Sequence, residues 1–336
     1  MRLFGKDLSK ELAIIAEIGV NHEGSVEAAS KLVSLAAETG ADAVKFQTFT
    51  PARYASATDP ARLERVTGFA LDEAAHRRLA GEAKEQGIEF FSTPVTEDVI
   101  PLLDELCSAF KIASGDLTFE PVIRMAAARG KPVVLSTGLG TLEEIDRAVG
   151  WIEDEVGSEN LADRLVLMHC VSAYPTPMEE ANVRSVPLLA DRYGVTVGYS
   201  NHVIGPEACL AAVALGARVL EIHFTDQKTG RDFRDHALSM EGGDLKTLIE
   251  MANNVDASLG RYGKAPMPCE LENKVAVRKG VVAARDLDGG TVLSRDDLMY
   301  ARPSSEFLAE ELDTLIGRTV QGPVKLGELI ARDNVA

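Results

Sequence analysis

The chain is short of several things, and each shortage narrows what it can be. No apolar run approaches the ~18–20 residues needed to cross a membrane as a helix, and the opening MRLFGKDLSKE lacks the apolar core of a secretory signal. These two features predict a cytoplasmic protein that uses no membrane. Basic residues are outnumbered: 35 Lys+Arg against 52 Asp+Glu give a formal net charge of −17. That balance argues against nucleic acid as a partner, because a phosphate backbone is held by clustered cations. Any anion site must therefore be built locally from individual lysines and backbone N–H groups. Cysteine is scarce, with four residues (Cys107, Cys170, Cys209, Cys269) and no C-x-x-C spacing, which fits reduced thiols in a reducing compartment. Aromatic residues make up 5% and there is one Trp. The core must therefore come from aliphatic side chains, and 46% apolar content across 336 residues is enough for a large one.

What is present is a recurring pattern. Eight short apolar runs, LAIIAEIG, DAVKFQ, IEFFST, AFKIAS, PVVLST, RLVLMHC, VTVGYS and VLEIHF, begin about every 20–45 residues. Each ends in polar residues. Most are followed by helical periodicity: Val26–Thr39 before Gly40, Asp72–Gln86 before Gly87, a capping-box start at Thr141/Glu144, Pro206–Leu215 before Gly216, and Asp244–Leu259. Buried parallel strands whose C-terminal ends carry polar groups, alternating with helices, predict an α/β (β/α)8 TIM barrel over residues 1–260. Gly260–Glu270 (GRYGKAPMPCE) is rich in Gly and Pro and reads as a linker, extended here to residues 261–277. The remainder, 278–336, has short β-like runs and Gly-rich turns and predicts a small β-rich domain.

The polar strand ends are the candidate site. His202 (GYSNH) and His223 (EIHFT) fall at the ends of neighbouring strands 7 and 8 and suit a divalent transition metal, with Glu17 and Asp235 possible neighbours. Two hydrogen-bonding histidines that shape loops would look the same. His22, His169 and His236 also fall near strand ends or their loops. Lys45 and Lys111 lie inside apolar strands, where a lysine is costly without a counter-charge. Either each is bridged across the barrel to Glu17 or Asp116, or they await a substrate phosphate or carboxylate. Thr93, Ser114, Ser136, Ser172 and Ser200, several beside Gly, suit a phosphate cradle. Glu17 reads equally as a structural partner of Lys45 or as a general acid/base.

AEIGVNHEG, VKFQTF, FFSTP, FKIASGD, VLSTG, HCVSAYPTP, GYSNH and EIHFTD, in this order, resemble the sialic acid (N-acetylneuraminate) synthase family, which includes legionaminic and pseudaminic acid synthases. The resemblance extends to a C-terminal SAF (antifreeze-like, β-clip) domain. It implies metal-dependent condensation of phosphoenolpyruvate with an N-acyl hexosamine, N-acetylmannosamine or a 2,4-diacetamido-6-deoxyhexose, to a nonulosonic acid and phosphate. It further implies Mn2+ (or Mg2+ or Co2+) on His202 and His223. Phosphoenolpyruvate would be held by Lys45, Thr93, Lys111, Ser114, Ser136 and Ser200, with Ser172 where Asn often stands. Glu17 would move a proton, and Gln47, Tyr174 and Asp235 would hold the sugar. Arg302 would reach the partner's site in a domain-swapped homodimer. Departures fall at Asn201, where an acidic residue is often seen, at a short segment after FQTF, and at RPSSEF beside Arg302. Two other readings are a silent sugar-binding barrel and a 3-deoxy-octulosonate 8-phosphate synthase-like enzyme. The second would need extra cations for a second phosphate, which the sequence does not point out.

Overall fold

The computed structural model describes residues 1–336, which divide into two compact units, Met1–Gly260 and Arg261–Ala336. The first opens with a hairpin of β1 (Arg2–Leu3) and β2 (Lys6–Asp7). Eight parallel strands follow: β3 (Ala13–Gly19), β4 (Ala43–Thr48), β5 (Glu89–Pro94), β6 (Phe110–Ile112), β7 (Val133–Ser136), β8 (Leu165–His169), β9 (Thr196–Asn201) and β10 (Val219–His223). They pair in the order β5-β4-β3-β10-β9-β8-β7-β6, and the end strands β5 and β6 lie side by side, which closes the barrel. Every predicted run is one of these strands.

The local signals act as expected. Ser25 accepts from Ala28 N at the start of helix Val26–Thr39, which ends at Gly40 in the left-handed region (φ 84°). Asp72 caps helix Glu73–Glu85, and Thr141 and Glu144 form a reciprocal capping box on helix Leu142–Val156. The closing helix, Gly242–Leu259, starts two residues before the expected Asp244, because Glu241 serves as its cap.

Period-two alternation along the strands sorts the side chains. Outward residues such as Ile14, Val44, Phe90, Leu135, Leu167 and Leu220 pack with the helices in one large core. Inward residues near the strand starts, Ala13, Ile15, Ala43, Phe91, Ala109, Val134, Val166, Met168 and Val219, form a second apolar cluster inside the barrel with Leu3 and Leu8 of the hairpin segment. The hairpin therefore plugs the end opposite the site. Lys6 fastens it, donating to Asp42 and to Leu12 O, each at 2.8 Å. The next inward positions are polar on every strand but β8, where Cys170 follows, so the apolar layers are the floor on which the site stands.

Gly198 shows how tight that floor is. A Cβ there would lie 2.5 Å from Val219 O and 2.4 Å from Met168 Sδ. The methionine can move, but the strand carbonyl cannot. Gly198→Ala is expected to lower stability by about 1–3 kcal/mol, seen as a lower denaturation midpoint with an unchanged slope. A midpoint equal to wild type would refute this packing.

The second unit has its own core, including Val281, Leu287, Leu298, Leu312, Val320 and Ile330. Its strands β11 (Gly280–Ala283) and β12 (Leu298–Ala301) pair antiparallel. The segment expected to be a plain linker contains two helical turns, Pro268–Leu271 and Lys274–Val277, each with no buried residue. Proline at the first helical position suits the first of them. Helices Pro51–Tyr54 and Pro60–Phe69 are also absent from the sequence expectations. Two prolines open them, and Val66 seals them onto Phe49 and Ala55. No helix is long and apolar enough to cross a membrane.

Candidate active site

A cavity of about 1070 Å3 opens at the C-terminal end of the barrel strands. Thirteen of the fourteen expected site residues line it: Glu17, Lys45, Gln47, Thr93, Lys111, Ser114, Ser136, Ser172, Tyr174, Ser200, His202, His223 and Asp235. Arg302 lies in the second unit, exposed just beyond β12.

At its base is a buried ion network. Lys45 Nζ lies 3.1 Å from Glu17 Oε2 and 3.3 Å from Glu221 Oε1, and donates to Thr93 Oγ1 at 3.4 Å. Lys111 Nζ donates to Ser136 Oγ at 2.5 Å and to Ile112 O at 3.1 Å, with Glu221 Oε2 at 3.9 Å. Ser200 Oγ donates to Glu221 Oε1 at 3.1 Å. Both readings of the strand lysines therefore meet: Lys45 is bridged to Glu17, and both lysines still face the cavity. Asp116 is not an ion-pair partner of either.

Glu221 is a polar strand end to which the sequence assigned no role. It sits two residues before His223 on the same strand, so the two side chains share the inner face. Two lysines inside a barrel demand an acidic neighbour, and VLEIHF supplied it in plain view. The two carboxylates divide their roles. Burial holds the Glu17 carboxyl up at about 7, against the pull of Lys45. For Glu221, burial is outweighed by Lys111 and Lys45, which draw it down to about 2. Two lysines then face one firmly ionised carboxylate, which leaves room for an added anion.

One corner is shaped for that anion. Gly138 N donates to Ser114 Oγ at 3.1 Å, and Ser114 Oγ lies 3.1 Å from Cys170 Sγ. Ser172 Oγ is buried and has no partner, so the hydroxyl at the departing position is free to meet a ligand.

The histidines separate by face. His202 Nδ1 donates to Val171 O at 2.6 Å, which leaves the Nε2 lone pair free. The His202 and His223 ring centroids are 5.3 Å apart, and Tyr174 packs against both. Burial lowers both imidazole pKa values, His223 well below the usual range, so both rings are neutral and able to ligate. No third His, Cys, Asp or Glu joins them in a metal-binding group. The pair fits a divalent ion that keeps several coordination positions for water or substrate oxygen. The other strand-end histidines serve the fold: His169 bonds Ala181 O, His236 bonds Thr225 and Glu23, and His22 packs on Phe46. Asn201 points away from this pair. Its amide clamps Val203 through both N–H and C=O, so it shapes the turn after β9 and contributes no charge.

Comparison with known proteins places these features in a lineage. Residues 32–264 match the model of the NeuB family and residues 278–336 that of the SAF domain. An N,N'-diacetyllegionaminic acid synthase of Campylobacter jejuni is 37% identical, covering 96% of this chain and 99% of its own. A human N-acetylneuraminate-9-phosphate synthase is 30% identical over 96% of this chain and 92% of its own. A crystal structure of the N-acetylneuraminic acid (sialic acid) synthetase of Leptospira borgpetersenii, in complex with citrate, superposes with a TM-score of 0.73. It is 30% identical and covers 78% of this chain and 90% of that one. With its barrel and its C-terminal module both matched, the chain belongs to the NeuB family.

Proposed function

We propose that the protein is a cytoplasmic enzyme that condenses phosphoenolpyruvate with an open-chain N-acyl hexosamine, giving a nonulosonic acid and phosphate. The observation that carries this reading is the pair of buried lysines sharing one ionised carboxylate beside the free hydroxyl of Ser172. Lys111, with Ser136, Ser114, Ser172 and Ser200, holds the phosphate and carboxylate of phosphoenolpyruvate. Lys45 and Thr93 complete the cradle.

C3 of phosphoenolpyruvate then bonds to the aldehyde carbon of the sugar. The aldehyde oxygen takes a proton from Glu17, whose buried carboxyl retains one near neutrality. Water adds at C2, the C2–O bond breaks, and phosphate leaves. Gln47, Tyr174 and Asp235 orient the sugar hydroxyls. A divalent ion on His202 and His223, Mn2+ first and Mg2+ or Co2+ next, would supply Lewis-acid polarisation of the aldehyde when bound. The working assembly is a domain-swapped homodimer in which Arg302 serves the partner's sugar, and the mass in solution tests it.

The test is phosphate release from phosphoenolpyruvate across a panel of N-acyl hexosamines, with and without rigorous chelation. Release that depends on the sugar and is lost with EDTA, then restored by Mn2+, is expected. Full activity after chelation would remove the metal role of His202 and His223. Sugar-independent release would remove the condensation itself.

A further inference from the structure

We propose that the buried His236 is a positioning residue for the acceptor sugar: bonded to Thr225 on one side and to Glu23 on the other, it fixes the helical turn that presents Asp235 to the cavity. It rests on the reading above that Asp235 orients the sugar, and it says what aims that carboxylate.

Asp235 opens the short helical turn Asp235–Leu238 in the loop after β10, and its side chain lines the cavity. The loop is closed at its base, where Thr225 N donates to Met240 O at 3.0 Å and Met240 N to His223 O at 2.7 Å. Beyond that base, none of residues 226–235 is buried, so apolar packing cannot set the loop's shape. Polar ties must do so. His236 is 0% exposed and is absent from the cavity wall, so it acts on a ligand only through its neighbours. Its Nδ1 meets Thr225 Oγ1 at 2.7 Å, and its Nε2 donates to Glu23 Oε1 at 3.1 Å. With both ring nitrogens bonded, the imidazole can neither turn nor slide, and Asp235 is the next residue. The Asp235 carbonyl is held as well: it accepts from Ser239 Oγ at 2.6 Å, and Asn21 Nδ2 donates to that hydroxyl at 3.1 Å.

Asn21 and Glu23 belong to one turn after β3, and that turn is held rigidly. His22 Nδ1 accepts from Gly24 N at 3.0 Å. Gly24 approaches helix Pro60–Phe69 so closely that a Cβ would lie 2.1 Å from Gly68 O. Glu23 itself stands at φ +50°, where residues with side chains are uncommon. Glycine would sit there with less strain, so a glutamate at this position points to a use for its carboxylate. Arg231 also reaches Glu23 Oε1 at 3.1 Å, but this pair is partly exposed, and such pairs contribute little.

The test combines thermal melts with steady-state kinetics, using N-acetylmannosamine and a 2,4-diacetamido-6-deoxyhexose as acceptors. His236→Leu fills the space of the ring and removes both bonds, whereas His236→Gln keeps an N–H for Glu23. Glu23→Gly suits the backbone at φ +50° and removes only the carboxylate. His236→Leu and Glu23→Gly are each expected to raise the sugar KM roughly 10-fold or more, the loss of one hydrogen bond to a charged group, with KM for phosphoenolpyruvate within about threefold of wild type. His236→Gln and Arg231→Ala should stay close to wild type. In an Asp235→Ala background, His236→Leu should add no further loss, because the two changes remove one interaction. If His236→Leu does not fold, Glu23→Gly crossed with Asp235→Ala carries the same test. A rise in KM shared by both substrates, a His236→Leu effect that persists in full without Asp235, or an Arg231→Ala effect of equal size overturns the proposal. So does a Glu23→Gly effect with His236→Leu silent, which would make Glu23 a direct sugar contact. Wild type that releases phosphate with no N-acyl hexosamine refutes the functional reading and this assignment together, whereas normal turnover with the wrong KM pattern refutes the assignment alone.

Discussion

Lys111→Ala is expected to lower kcat/KM for phosphoenolpyruvate by roughly 100–1,000-fold, the loss measured when one preorganised charge-stabilising donor is removed from an active site. The ammonium is buried and points its donors at Ser136 and the Ile112 carbonyl, leaving its charge for a ligand. The protein should still fold, because Glu221 retains Lys45 at 3.3 Å and the Ser200 hydroxyl at 3.1 Å. Lys45→Ala makes the contrast. It strips the nearest cation from both Glu17 and Glu221, and breaking such a buried pair costs about 3–5 kcal/mol of stability. Steady-state kinetics and thermal melts on the two variants separate the roles. A Lys111→Ala enzyme with near wild-type kcat/KM would show that the anion sits elsewhere.

Gly138→Ala is expected to raise KM for phosphoenolpyruvate by roughly 30-fold or more at little cost in stability. Gly138 does not occupy a left-handed conformation, so alanine meets no backbone strain there. The whole penalty is local. A Cβ would lie 2.4 Å from Ser172 Oγ, 2.8 Å from Ser114 Oγ and 3.0 Å from Cys170 Sγ. Serine hydroxyls can rotate away, which spares the fold, but those two hydroxyls are part of the proposed cradle. Losing two hydrogen bonds to a charged ligand, at about 1.5–3 kcal/mol each by mutational precedent, accounts for at least that change. A KM within threefold of wild type would show that neither hydroxyl touches the phosphate. A large fall in melting temperature would instead make Gly138 a packing residue.

Much of this was legible in the chain. The eight apolar runs are β3–β10, and their polar ends converge because parallel strands in a barrel all expose the same end. Lys45 and Lys111 were conspicuous because lysine is rare in a buried strand. Glu221 was less so: a single acid between apolar neighbours gives no sign of which strand its partners occupy. Position near a strand end misled for His169, because odd and even residues of a strand face opposite sides of the sheet, and for His22 and His236, which lie in a turn and a helical turn beyond their strands and bond or pack locally.

The sequence alone therefore determined the barrel, the end at which the chemistry sits and most of the residue types involved, because hydrophobic periodicity and turn chemistry act over a few residues at a time. The tertiary structure alone decided how those residues are paired. It joined two lysines to one carboxylate lying 176 and 110 positions further along the chain, left Ser172 without a partner, and set Asn201 away from the histidines beside it. Charge and hydrogen bonding inside a protein depend on distance and burial, and both are fixed only when the sheet closes.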